Sequence, residues 1–115
     1  MNKVVFYNTN SNRFPVLDYI NSQEALRIAI IRNAIRLLRE FEVEVSLSDN
    51  KKLKGRRYKG LHQLTVESSR IIYFIMSGNK FVLLHAFTKK TNKTPIKELE
   101  IARKRMKDYL GGRYE

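Results

Sequence analysis

The sequence predicts a small α+β domain: an antiparallel sheet of about four strands with an N-terminal helix pair and a C-terminal helix, the helices packed on one face of the sheet and at one end. Three observations carry that prediction. The segments "LHQLTVE", "RIIYFIM" and "KFVLLHAF" are rich in strand formers and separated only by "SS" and "SGN", the pattern of a three-strand antiparallel meander. Ile28, Ile31, Ile35 and Leu38 recur at intervals of three and four, the period of a helix with one apolar face. At 115 residues, 43% of them apolar, the chain is one domain, residues 1–115, with a single packed core.

The elements follow in order. "VVFY", Val4 to Tyr7, is a short strand, and "FPVLDYINSQ" around Pro15 gives one or two helical turns. Asn21 is placed to cap the next helix, with Glu24 three residues on as in a capping box, and that helix runs to about Phe41. A polar connection, "EVEVSLSDNKKLKGRRYKG", leads to the meander. Gly78 and Asn79 form a two-residue turn with glycine first, where φ must be positive. Thr94 caps the last helix and Pro95 fits its first turn. Its apolar stripe is Ile96, Leu99, Ala102, Met106 and Tyr109, and Gly111 and Gly112 stop it.

Charge narrows the function. Twenty-three Lys and Arg against 11 Asp and Glu leave +12, which points to a polyanion or an acidic protein as partner. No apolar run approaches the roughly 20 residues of a bilayer span, and "MNKVVFYNTN" has no signal-peptide core, so a cytoplasmic protein with no membrane partner is expected. With no cysteine there is neither thiol catalysis nor cysteine-ligated zinc.

The cations fall into three groups. With the turn at Gly78–Asn79, the register sets Arg70 opposite Phe87, so Arg70, Lys89 and Lys90 converge at one sheet edge with Lys93 close behind. No acid lies between Glu67 and Glu98 to neutralise them. The second group, Lys51, Lys52, Lys54, Arg56, Arg57 and Lys59, enters the meander near Leu61, about 20 Å from Arg70 unless the loop folds back. It reads as a footprint on nucleic-acid phosphates, giving affinity without base specificity. The third, Arg32, Arg36 and Arg39, lines one helix face and reads either as a solvated face or as a surface for an acidic partner.

No Walker, HExxH or GxSxG motif is present, nor a carboxylate cluster able to hold two magnesium ions, so metal-dependent nuclease chemistry is not expected. His62 and His85 sit in strands and read as packed side chains. What remains is metal-free phosphoryl chemistry on RNA, in which the ribose 2′-OH is the nucleophile and cations stabilise the charged transition state. In that chemistry Arg70 grips the scissile phosphate and Lys90 stabilises the phosphorane or protonates the leaving oxygen. Lys89, among neighbouring cations that depress a lysine's pKa, is a candidate proton acceptor.

From Arg70 to Leu110, "RIIYFIMSGNKFVLLHAFTKKTNKTPIKELEIARKRMKDYL" resembles the C-terminal half of the phage-related HigB toxins, within the RelE/ParE superfamily. "LHQLTVESS" and the N-terminal order of strand and helices are similar too. The resemblance implies a RelE-like fold and a ribosome-dependent mRNA interferase that needs no cofactor. It also implies a HigA-like helix-turn-helix antitoxin, through which the protein would oligomerise. It puts Arg70 at the family's phosphate-binding arginine and Lys90 at its second catalytic cation, with Lys89 beside it. Where RelE-type toxins carry lysines on the first meander strand this chain has Leu61 and Gln63, and their tyrosine falls near Pro95 or Ile96, which leaves the general base open. A ParE-like gyrase inhibitor and a non-catalytic RNA-binding module are the alternatives. The antitoxin would cover Arg70, Lys89 and Lys90 with carboxylates, or dock on the helix carrying Arg32, Arg36 and Arg39, the mode the arginine row favours.

Overall fold

A computed structural model describes residues 2–41, 50–52, 56–92 and 95–112, with the backbone alone of 50–52. Lys54, Lys93 and Thr94 lie outside the described residues. The order is β1 (Lys3–Phe6), α1 (Pro15–Asn21), α2 (Ala25–Glu40), β2 (Asn50–Lys52), β3 (His62–Val66), β4 (Ser69–Met76), β5 (Lys80–Thr88) and α3 (Ile96–Gly112). The fold is α+β, as the sequence predicts.

The strands form one sheet in the order β1-β5-β4-β3-β2. β3, β4 and β5 are the antiparallel meander. β1 joins β5 in parallel, with Lys3 beside Lys80 and Phe6 beside Leu83, so the sheet is mixed and not purely antiparallel. Parallel pairing needs a long crossover, and here nearly the whole chain between β1 and β5 supplies it. The polar connection contributes the unpredicted strand β2, antiparallel to β3 through Lys51↔Gln63 and Lys52↔His62.

Helices cover both faces of the sheet, where the sequence suggested one face and one end. β4 and β5 are apolar at every position through most of their length, so both of their faces need cover. α1 and α2 bury Val16, Ile20, Ile31, Ile35 and Leu38 against Ile71, Tyr73, Phe81 and Leu83. On the other face Ala102 and Tyr109 of α3, with Leu99 and Met106, pack on Ile72, Phe74, Val82, Leu84 and Phe87. Ile96 is 70% exposed, so the packed stripe of α3 begins at Leu99. Helical Cα–Cβ bonds tilt toward the N-terminus, which carries the first side chain beyond the sheet. The helix also includes Gly111 and Gly112 instead of stopping before them.

Two local details depart from expectation. Pro15 opens α1, which consumes Asn21 as its last residue, so Asn21 caps nothing and Glu24 itself is the extended N-cap of α2. Asn2, buried beside the end of α2, donates from its backbone N to Arg39 O at 2.8 Å and from its side chain to the carbonyls of Leu38 and Phe41, tying β1 to that helix.

The β4–β5 hairpin carries the functional end. Met76 pairs with Lys80, so the loop is the three residues Ser77, Gly78 and Asn79, not two. Ser77 and Gly78 both take positive φ, 53° and 78°. That extra residue would shift the far end by one, but the pairing jumps between Tyr73↔Leu83 and Ile72↔His85, leaving Leu84 as a bulge. The jump restores Arg70↔Phe87, the predicted pair. It also sets Leu84 and His85 consecutively on the α3 face, which strict alternation forbids.

Candidate active site on the third-helix face

Arg70 is the second residue of β4, at the sheet end where β5 finishes, opposite Phe87 on one side and Thr65 on the other. The turn before it fixes its guanidinium. Nη1 donates to Glu67 O at 2.6 Å and Ser69 O at 3.0 Å. Arg70 Nε is buried and donates no hydrogen bond, an unused donor on the residue expected to hold a phosphate. Glu67, the turn residue, takes the left-handed conformation, φ 56°.

The opposite face braces the same turn, through residues that sequence reasoning missed. Arg27 of α2 reaches Glu67 Oε1 at 3.3 Å and donates to Ser68 Oγ at 2.7 Å and Ser69 Oγ at 3.3 Å. The Tyr19 hydroxyl lies 2.9 Å from Ser69 Oγ and 2.6 Å from Thr88 Oγ1, joining the ends of β4 and β5. The carboxylate nearest Arg70 in sequence is therefore occupied on the far side of the sheet. Lys89 continues the strand end, its backbone N donating to Ser68 O at 2.7 Å, and Lys90 is exposed beside it. Arg70, Lys89 and Lys90 thus belong to one end of the meander.

Next to Phe87 on this face lies a polar group that the strand pattern did not announce. The His85 ring stacks on Phe87 with centroids 5.6 Å apart. Arg105 Nη1 donates to Leu84 O at 3.0 Å and to His85 Nδ1 at 3.1 Å. A guanidinium only donates, so Nδ1 accepts and Nε2 carries the proton, which it gives to Glu98 Oε1 at 2.7 Å. Burial lowers the His85 pKa, Arg105 lowers it further, and Glu98 opposes them, so the ring is neutral. Burial also lowers Arg105, which lies over the Tyr7 ring with 5.8 Å from guanidinium carbon to centroid. His62, in contrast, stacks on Tyr73 at 5.3 Å. The signal for the group was present: Glu98 and Arg105 are seven residues apart, hence on one helix face, beside the apolar stripe.

The second cationic group is nearer than extended-strand counting suggested. β2 folds the connection back, so Lys51 lies two strands from Ile72 and about 12 Å from Arg70 between Cα atoms. Arg56, on the short 3₁₀ turn that follows, and Lys59, just after it, are exposed. Arg57 is committed elsewhere: Nε and Nη2 hold Glu100 at 2.6 and 2.8 Å, and the Tyr58 hydroxyl donates to the same carboxylate at 2.7 Å. The Arg57 bond, then the Tyr58 bond, lower Glu100 to about 2. This clasp fastens the basic turn to α3.

Arg32, Arg36 and Arg39 border a cavity of about 230 Å³ lined also by Phe6, Leu17, Ile20 and Ile35. Arg36 is held by Glu40 at 2.7 Å and by Asn33, whereas Arg32 and Arg39 carry no ion pair among the described residues. Also among the described residues, no three His, Asp or Glu side chains gather as metal ligands, and no helix is long and apolar enough to cross a membrane.

No curated protein matches the chain. Residues 18–107 match the family described as Phage derived protein Gp49-like (DUF891), a span that includes α2, the β3–β5 meander and Arg70, Lys89 and Lys90. The chain belongs to this phage-derived Gp49-like family, a toxin-like family related to RelE and HigB.

Proposed function

We propose that the protein is the toxin of a toxin–antitoxin pair and an endoribonuclease that cuts mRNA on the ribosome. The reading is supported above all by Arg70: its guanidinium is held by the turn carbonyls, retains a buried unused donor, and shares a strand end with Lys89 and Lys90. The ribose 2′-oxygen attacks phosphorus, the bond to the 5′-oxygen breaks, and a 2′,3′-cyclic phosphate and a 5′-hydroxyl result. Arg70 neutralises the non-bridging oxygens, and Lys90 stabilises the phosphorane and protonates the leaving oxygen. No metal or cofactor takes part. β2 and the basic turn, through Lys51, Lys52, Lys54, Arg56 and Lys59, follow the backbone of ribosomal or messenger RNA. A HigA-like antitoxin docks on the α1–α2 side, an acidic segment meeting Arg32 and Arg39 and an apolar side chain entering the cavity beside Ile35.

The test is induction in bacteria with mapping of transcript 5′ ends. New ends should appear within translated regions, and Arg70→Ala and Lys90→Ala should each lower cleavage on purified ribosomes about 100- to 1000-fold while ribosome binding changes only a few fold. A protein that only binds RNA would produce no new ends and would respond most to combined loss of Lys51, Lys52 and Lys54. A gyrase inhibitor would arrest growth through DNA damage with transcripts intact.

A further inference from the structure

We propose that Glu98 is the proton acceptor for the attacking ribose hydroxyl, with His85 and Arg105 as its positioning residues. The inference rests on the RNA-cleavage reading and fills the role that reading leaves open. Its foundation is a geometry that folding alone does not require. Glu98 uses Oε1 to accept from His85, while Oε2 makes no hydrogen bond among the described residues and the side chain is 22% exposed. A carboxylate held by one oxygen, with the other left without a partner on a partly exposed side chain, is oriented and has a lone pair open to a substrate proton.

His85 is not itself the acceptor. Nδ1 is occupied by Arg105 and Nε2 by its own proton, so the ring has no free lone pair. Its function is to aim Glu98, as Arg105 in turn fixes the tautomer of His85. The partnership gives folding little in return: a neutral histidine beside a partly buried carboxylate lacks the Coulombic attraction of an ion pair, and an apolar pair would pack there at lower desolvation cost.

The histidine that aims Glu98 neighbours the phosphate-holding arginine in the sheet. Arg70 pairs with Phe87, which places His85 at the diagonal position on the same face, a spacing of about 7–8 Å. Phe87 stacks on His85 between them. The other described acids near this face are engaged. Glu100 is held by Arg57 and Tyr58, and Asp108 accepts from the Tyr7 hydroxyl at 2.7 Å. Glu67 pairs with Arg27 across the sheet.

In the step, the 2′-OH proton passes to Glu98 Oε2 as the oxygen–phosphorus bond forms. The 5′-oxygen leaves with its electron pair and takes a proton from the Lys90 ammonium. The proton on Glu98 then returns to Lys90 through water, and both groups recover their starting charge.

The experiment is single-turnover cleavage of mRNA on purified ribosomes by wild type, Glu98→Gln, Glu98→Asp, His85→Gln and Lys89→Gln, with thermal unfolding of each protein alongside. The glutamine at 98 is isosteric and its amide oxygen still accepts from His85, so folding and ribosome binding should stay at wild-type values while the rate falls about 100-fold or more. Glu98→Asp, which keeps a basic oxygen, should be faster than Glu98→Gln at equal stability. His85→Gln should lower the saturating single-turnover rate about tenfold with the half-saturating concentration unchanged, a split that simple loss of packing does not produce. Full cleavage by Glu98→Gln, or a glutamine variant as fast as the aspartate one, overturns the assignment. If Lys89→Gln alone loses the rate, the acceptor is Lys89, and the cleavage reading survives without this proposal. Absence of cleavage by the wild type removes both.

Discussion

The two faces of the sheet share β4 and β5 but differ in what they bury. Under α1 and α2 the clustered core side chains are aliphatic or aromatic, with polar contacts of Arg27, Tyr19 and Asn2 around them. Under α3 the apolar residues are interleaved with His85, Glu98, Arg105 and the Tyr7–Asp108 pair. A buried polar group must find partners, and those partners constrain position more tightly than dispersion contacts do. One face therefore holds the domain together, while the other uses burial to fix the direction of titratable groups.

Truncation tests the division most severely. Phe81→Ala, on the α1–α2 face and fully buried, should cost about 3–5 kcal/mol in urea denaturation, a large share of the 5–15 kcal/mol typical of a domain. Arg105→Leu should cost less, about 1–3 kcal/mol, because it removes the donor to Leu84 O and His85 Nδ1 but keeps apolar bulk. Should Arg105→Leu equal Phe81→Ala, the α3 face is as structural as its opposite and the comparison fails. The smallest effect is on pH dependence. The folded pKa of His85 lies below the ordinary 6.5, so the unfolded chain binds the extra proton as pH falls. Stability should be complete above pH 6.5 and decline below it toward the folded pKa, and the decline should be shallower in His85→Gln. Melting temperatures between pH 7.5 and 5 measure the difference.

Much of this was written locally in the sequence. The meander follows from β-forming runs with short turns, and the pairing of Arg70 with Phe87 was legible although both steps toward it were off by one. A two-residue turn was expected where the chain uses three, and the bulge at Leu84 cancels the discrepancy. The parallel pairing of β1 was not legible, because alternation reports which face a residue takes and not which neighbour or direction its strand adopts. β2 escaped notice because backbone pairing to β3 defines it, and its residues, Asn50 to Lys52, have no apolar pattern. For the site, the gathering of Arg70, Lys89 and Lys90 at one end depends only on hairpin register. The contacts of His85 with Glu98 and Arg105 depend on a bulge and on where a helix docks, and Arg27 reaches Glu67 from 40 residues away. Such contacts are set by tertiary packing, which short-range spacing does not encode.

The parallel pairing also has a consequence for the order in which the molecule is made. Lys3 to Phe6 leave the ribosome before the rest of the sheet, yet their hydrogen-bonding partners begin at Lys80, so the first strand of the sheet waits for the last. High sequence separation slows closure, and until β5 emerges Val4, Val5 and Phe6 have no sheet to join. The final helix adds a second delay: Val82, Leu84 and Phe87 stay uncovered until Ala102 and Tyr109 arrive, and His85 has neither of its partners before then. A nascent chain interrupted anywhere upstream of α3 lacks one layer of its core together with the carboxylate and guanidinium that hold His85. The complete arrangement comes into being only once α3 has been made.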